Sequence, residues 1–236
     1  MSTAAPPSPT GTVDFGRSFT FVTEDPEWIK KILIGGVFTA ACFLLVGVPF
    51  VLGYFSRTLR SVVAGEPRPM PEWDDLGGLF NEGLRLTAVY FLYTLGIAAA
   101  VAAVGCVLTL PLSLLSGGGG HATEALGVVG GLGIVALYGV LMLVSLALGV
   151  YLPAALARAA LRGTVADGFA WRETFGFIQA NLGNYLISLV IYLLATFVGQ
   201  FAIVLCCVGI FPGVFWGYMV LAVALGQTIR LSPVQL

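Results

Sequence analysis

Two arginines three residues apart, Arg57 and Arg60, are the first side chains in this sequence whose type and spacing suggest chemistry. With Tyr54 they share one face of a helix, since residues three and four apart are neighbours on its surface. The opposite face (Leu52, Phe55, Leu59, Val63) is apolar. A guanidinium pair of this kind suits a lipid phosphate or a partner carboxylate. It also suits a helix at a membrane interface that snorkels its cations. Downstream lies Gly65–Asp75, GEPRPMPEWDD, where alternating Pro67, Pro69 and Pro71 favour extended backbone. Trp73 then leads into Asp74 and Asp75, either of which can cap a following helix. Glu72, Asp74 and Asp75 have no spacing that imposes a metal coordination sphere. A second polar stretch carries Arg158, Arg162 and Trp171. These residues (Arg57, Arg60, Trp73, Asp74, Asp75, Arg158, Arg162) are the candidate contacts for a partner protein or a lipid headgroup. The single histidine, His121, follows four glycines. No Ser/His/Asp set, HExxH, Walker loop or GxGxxG after a strand accompanies it. The expectation is therefore no catalysis, no cofactor and no metal.

What must position these groups is a membrane protein. Of 236 residues, 58% are apolar and 10% charged, and the mean hydropathy is +0.97. Soluble domains carry about 25% charged residues, and only a bilayer accepts so apolar a surface. A net charge of −1 excludes a nucleic-acid face. Cys42, Cys106, Cys206 and Cys207 all lie in apolar runs and read as small core residues. Residues 1–13 read as a disordered tail without the basic start of a signal peptide. A single helical membrane domain is expected over 14–230, with a C-terminal tail at 231–236.

Along that domain, Phe15, Phe19 and Val22 suggest an interfacial helix, and Asp25-Pro26 a helix start followed by Trp28, Lys30 and Lys31. Ile32–Tyr54 is long enough to cross once, yet Gly47-Val48-Pro49 interrupts it. Either it crosses with a kink or it turns back near Gly47–Pro49 as a short hairpin. Leu86–Leu115 and Leu126–Ala157 are uncharged and read as crossings. Leu182–Ile229 is too long for one crossing and splits at Gly209–Gly213. Lys and Arg are absent from the 116–125 loop and the 206–213 turn, whereas Arg57, Arg60, Arg68 and Arg85, then Arg158, Arg162 and Arg172, fill loops 55–85 and 158–184. The positive-inside rule places those loops in the cytoplasm, in a cytoplasmic (inner) membrane. The expected fold is all-α: a polytopic membrane protein of six embedded helices in three hairpins, with five crossings as the alternative. A faint echo of Val46–Tyr54 in Val208–Tyr218 suggests a hairpin repeat. Asn184, Gln200 and Gln227 are the strongest polar groups within the apolar runs. Gly127/Gly131, Gly209/Gly213/Gly217 and Ala98–Ala103 offer faces for close helix packing, within the chain or against a partner or second copy.

The chain resembles the membrane proteins of domain-of-unknown-function family 4013. The resemblance rests on Asp25-Pro26 with Trp28, Lys30, Lys31 and Ile34-Gly35-Gly36. It continues through Gly53-Tyr54-x-x-Arg57-x-x-Arg60 with Gly65, then Pro71–Asp75, Phe80 and Gly83, and closes with Ala224–Gln227. The hairpin layout is more loosely similar to the membrane-spanning parts of some glycerophosphodiester phosphodiesterases, but no catalytic domain of that kind is present. The family implies no reaction. The first expectation is thus a non-catalytic membrane subunit or scaffold. A permease or lipid-handling protein for a weakly polar solute is the second.

Overall fold

The computed structural model describes residues 11–115, 121–204, 209–234 and 236. The chain is 85% helix, with no strand among the described residues, and four helices are long and apolar enough to cross a membrane. Among the described residues eight α-helices follow in order: α1 Phe15–Thr20, α2 Trp28–Ala41, α3 Gly47–Ala64, α4 Leu76–Leu115, α5 His121–Arg162, α6 Trp171–Ala180, α7 Leu182–Gln200 and α8 Ile210–Leu231. Two compact units result, one of residues 1–89 with 153–236 and the other of Tyr90–Leu152. Of the expected 116–125 loop, residues 116–120 lie outside the described residues, as do Cys206, Cys207 and most of the expected tail, whereas the second half of that loop is helical and opens α5 at His121.

Of the two geometries open to Ile32–Tyr54, the chain adopts the hairpin. A 3-10 turn at Cys42–Leu44 and a left-handed Leu45 (φ 61°) reverse it, and α3 runs back against α2. The reversal falls a few residues before Gly47–Pro49, which instead opens α3. Proline is tolerated there because a first-turn N–H has no helical partner. Gly47 is required by proximity: a Cβ on it would sit 2.6 Å from the Cys42 nitrogen. With 14 residues, α2 extends about 21 Å, short of the ~30 Å hydrocarbon core. Neither α2 nor α3 is among the four candidate spans, which lie at Leu76–Val107, Val135–Arg162, Leu182–Gln200 and Ile210–Leu231.

The first unit is built around α8, which packs on α1, α2, α3 and α7. Met219 through Leu225 are all buried, so this helix is covered on every side. Its Gln227 and Thr228 side chains are hydrogen-bonded. The Ser188 hydroxyl lies 2.8 Å from that of Thr228 and donates to the Ala224 carbonyl at 3.0 Å. Glycines set the tightest crossings. Gly53 on α3 and Gly83 on α4 bring the two backbones into contact, as do Gly199 on α7 and Gly213 on α8. The packed chain begins before α1: Val13 is buried, and the Gly11 carbonyl accepts from Asn184 at 3.1 Å. Gln227 fixes this segment by accepting the Asp14 N–H at 2.8 Å and donating to Ser18 at 3.0 Å. At the other terminus, the Leu236 carbonyl accepts from Arg162 at 3.1 Å and Ser232 bonds Asn181 at 2.7 Å.

The second unit comprises the distal parts of α4 and α5. Tyr93 and Tyr151 meet edge to face with hydroxyls 3.4 Å apart. Its apolar residues are largely uncovered, including Leu95, Val107, Val135, Tyr138, Met142 and Leu146.

Candidate functional site

All 11 Lys and Arg residues belong to the first unit; the segment Tyr90–Leu152 has none. Lys31, Arg57 and Arg60 are held in two ion-pair clusters that the helix starts and the 65–75 loop create.

The first cluster is organised by Trp73. Its ring stacks between Phe38 of α2 (centroids 4.9 Å apart) and Tyr54 of α3 (4.4 Å), and its indole N–H donates to the Lys31 carbonyl at 3.1 Å. The Tyr54 hydroxyl donates to the Pro71 carbonyl at 2.8 Å, so the proline-rich segment is strapped across the hairpin. Beneath it, Lys31 is only 3% exposed. Its ammonium reaches Asp25 at 2.6 Å, Glu72 at 2.5 Å and the Met70 carbonyl at 3.2 Å, satisfying its three donors. Burial alone would raise the Asp25 carboxyl. Hydrogen bonds from Lys31 and the Glu27 N–H, with the Lys31 charge, outweigh it and hold the group below the ordinary carboxylate value. For Lys31 burial works toward a lower value, but the bonds to Asp25 and Glu72 dominate and raise it.

These directions define a pH window. A depressed Asp25 stabilises the fold above its unfolded pKa of about 3.9 and loses that contribution as pH falls through the folded value. A raised Lys31 stabilises below its unfolded value of about 10.4 and loses it as pH rises through the folded one. At neutral pH both contributions are present. Lys31→Met strands a buried carboxylate, and the expected cost is about 3–5 kcal/mol. Without its partner Asp25 titrates upward, so the deficit should narrow as pH falls toward 4. Thermal unfolding in detergent at pH 4 and pH 7 measures this, and a deficit independent of pH would contradict the assignment.

The second cluster joins α3 to the start of α4. Asp75 caps α4, accepting the Gly78 N–H at 2.9 Å, while its other oxygen takes Arg57 at 2.7 Å. The Arg57 guanidinium, then the Gly78 N–H, lower the Asp75 pKa. Glu82 is shared: one oxygen accepts from Arg57 at 3.0 Å and the other from Arg60. Arg60 also donates to the Ser56 hydroxyl at 3.1 Å. The two arginines are therefore engaged within the chain.

The remaining candidates are dispersed. Asp74 is exposed and caps nothing among the described residues. Arg158 is 8% exposed, and its Nε has no hydrogen-bond partner among the described residues. Arg162 is tied to Leu236. Sequence reasoning missed Lys31 with Asp25, and Glu82. Glu82 did leave a signal, being the only carboxylate in the 40 residues of α4.

The family model described as a protein of unknown function (DUF4013) matches residues 36–208. The chain belongs to this family. The DUF4013 match spans the second half of α2 through α7, taking in Trp73, Asp75, Glu82 and both arginines of the second cluster. Asp25, Lys31 and α8 lie outside it. No curated protein and no solved structure matches the chain significantly.

Proposed function

We propose that the protein is a non-catalytic subunit or scaffold of the cytoplasmic membrane, packing against partner helices through the α4–α5 pair. The observation that carries this reading is α5. Its candidate span, Val135–Arg162, has an apolar window with no buried residue, whereas the corresponding window of α8 is 61% buried. The first unit uses glycine for backbone contact at Gly53/Gly83 and Gly199/Gly213. In the second unit a Cβ on Gly96, Gly131, Gly133, Gly139 or Gly149 would meet nothing within 4 Å. Glycine weakens a helix interior by about 1 kcal/mol against alanine, and close approach by another helix is its usual compensation in membranes. A second copy or another membrane subunit supplies that helix.

The cationic loops 55–85 and 158–184 face the cytoplasm, and six helices are embedded. Two of them, α2 and α3, enter only partway, with exposed Phe43, Leu44, Leu45 and Val46 at their turn in lipid. The reading predicts that Thr20→Cys, in a cysteine-free chain, reacts with impermeant maleimide only from the cytoplasmic side. External labelling would reject this topology. Transport is the weaker account: Asn184 and Gln227 are spent holding the amino-terminal segment. The charged groups of the two clusters are paired among themselves rather than presented to a reacting centre.

Extraction in mild detergent and native mass spectrometry test the subunit reading. A complex of fixed stoichiometry, either a homo-oligomer or one with a second membrane protein, is expected. A monomer carrying lipid alone would overturn it.

A further inference from the structure

We infer that a cleft between α3, the start of α4 and the end of α5 binds the phosphate of an anionic phospholipid headgroup. Ser56, Arg60, Glu82, Arg85, Ala160 and Gly163 line it. Two small residues form the α5 wall, and Gly163, in the left-handed region at φ 80°, ends that helix. Its carbonyl accepts Arg85 Nη1 at 3.0 Å, which orients the guanidinium along the cleft while leaving its other donors uncommitted. Arg85 has no carboxylate partner among the described residues.

The local charge balance favours an anion. Three guanidinium groups, Arg57, Arg60 and Arg85, are served by two carboxylates, Asp75 and Glu82, and Glu82 is divided between Arg57 and Arg60. Burial, then repulsion from Arg57 and Arg85, lowers the Arg60 pKa, in keeping with a locally positive field. A phosphate oxyanion accepts from two guanidinium groups, and here Arg60 keeps its Nη1 donors and Arg85 those not given to Gly163. The position favours a lipid over free phosphate. Leu84, next to Arg85, is 48% exposed, and both lie within a helix span long and apolar enough to cross a bilayer. Acyl chains anchored there run beside apolar helix surface, and basic pockets of this kind on the cytoplasmic side hold anionic headgroups.

Binding of phosphatidylglycerol and of phosphatidylcholine to the purified full chain, measured by native mass spectrometry with thermal unfolding in parallel, decides the matter. Phosphatidylglycerol is expected to bind at least tenfold more tightly, and Arg85→Gln to remove that preference. Arg68→Gln deletes an equal charge at an exposed position outside the cleft and should retain it. Arg85→Lys, keeping the charge without the fork, is expected to fall between. Equal binding of both lipids, or an equal loss in the Arg68 variant, overturns the site. Displacement of phosphatidylglycerol by millimolar inorganic phosphate would reject the lipid as its occupant. Because this readout is lipid selectivity and not subunit stoichiometry, it fails separately from the scaffold reading.

Discussion

Gly83→Leu is expected to prevent assembly of the first unit, not merely to weaken it. A Cβ at Gly83 would overlap the Pro49 carbonyl oxygen and sit 2.6 Å from the Gly53 nitrogen. The reciprocal Cβ at Gly53 would overlap the Leu79 carbonyl. Both obstacles are backbone, so no rotamer change relieves them, and α3 and α4 must separate. Separation also parts Arg57 and Arg60 from Glu82 and Asp75. Overpacking a core costs about 1–3 kcal/mol where side chains can yield. Gly83→Ala is therefore expected at or above the top of that range, and Gly83→Leu beyond what a marginally stable fold tolerates. Gly77→Ala, in the same helix with nothing within 4 Å of the new Cβ, should be neutral or gain up to about 1 kcal/mol from helix propensity. Monodisperse yield and melting temperature in detergent compare them. Equal stability of the Gly83 and Gly77 alanine variants would refute the backbone contact.

Trp73→Ala should have the next largest effect. It removes one layer of a three-ring stack and the bond to the Lys31 carbonyl, and it uncovers Tyr54, which is fully buried. Truncating a buried tryptophan costs about 3–5 kcal/mol. The partial exposure of Trp73 places it near the lower figure. Loss of the strap frees Glu72, and new cleavage after it by a glutamate-specific protease is the expected signature. Trp73→Phe keeps the stacking and gives up only the hydrogen bond, so about 1 kcal/mol is expected. If the alanine and phenylalanine variants were alike in stability and protease resistance, the ring stack would not be what holds the segment.

Much of the fold was legible because it depends on composition and local chemistry. The long uncharged runs gave α4, α5, α7 and α8, and Asp75 was readable as a helix cap. The hairpin within Ile32–Tyr54 was the favoured reading only on the placement of the cations, since length and hydropathy are the same for a kinked crossing and for two antiparallel arms. What decides it is a left-handed Leu45, a residue type with no preference for that conformation. The α4 start came ten residues earlier than the apolar run suggests, because Glu82 and Arg85 interrupt the hydropathy; Glu82 is neutralised by the arginines of α3, and Arg85 bonds the Gly163 carbonyl just past α5. Long-range pairing also hid the site. Arg57 and Arg60 share a helix face, as their spacing implies, yet whether that face meets solvent or Glu82 depends on a residue 22 positions further along. Lys31 read as a snorkelling cation, and the structure instead buries it beneath a loop about 40 residues away.

The central claim, that the bare α5 face is an interface, is tested most directly by photo-crosslinking in intact membranes. A benzophenone amino acid at Met142 or Leu146, which are 71% and 65% exposed, is compared with one at Phe43, 82% exposed in the α2–α3 turn. The account predicts a protein adduct of one defined mass from the two α5 positions and lipid adducts alone from Phe43. Lipid adducts alone at all three positions would contradict it.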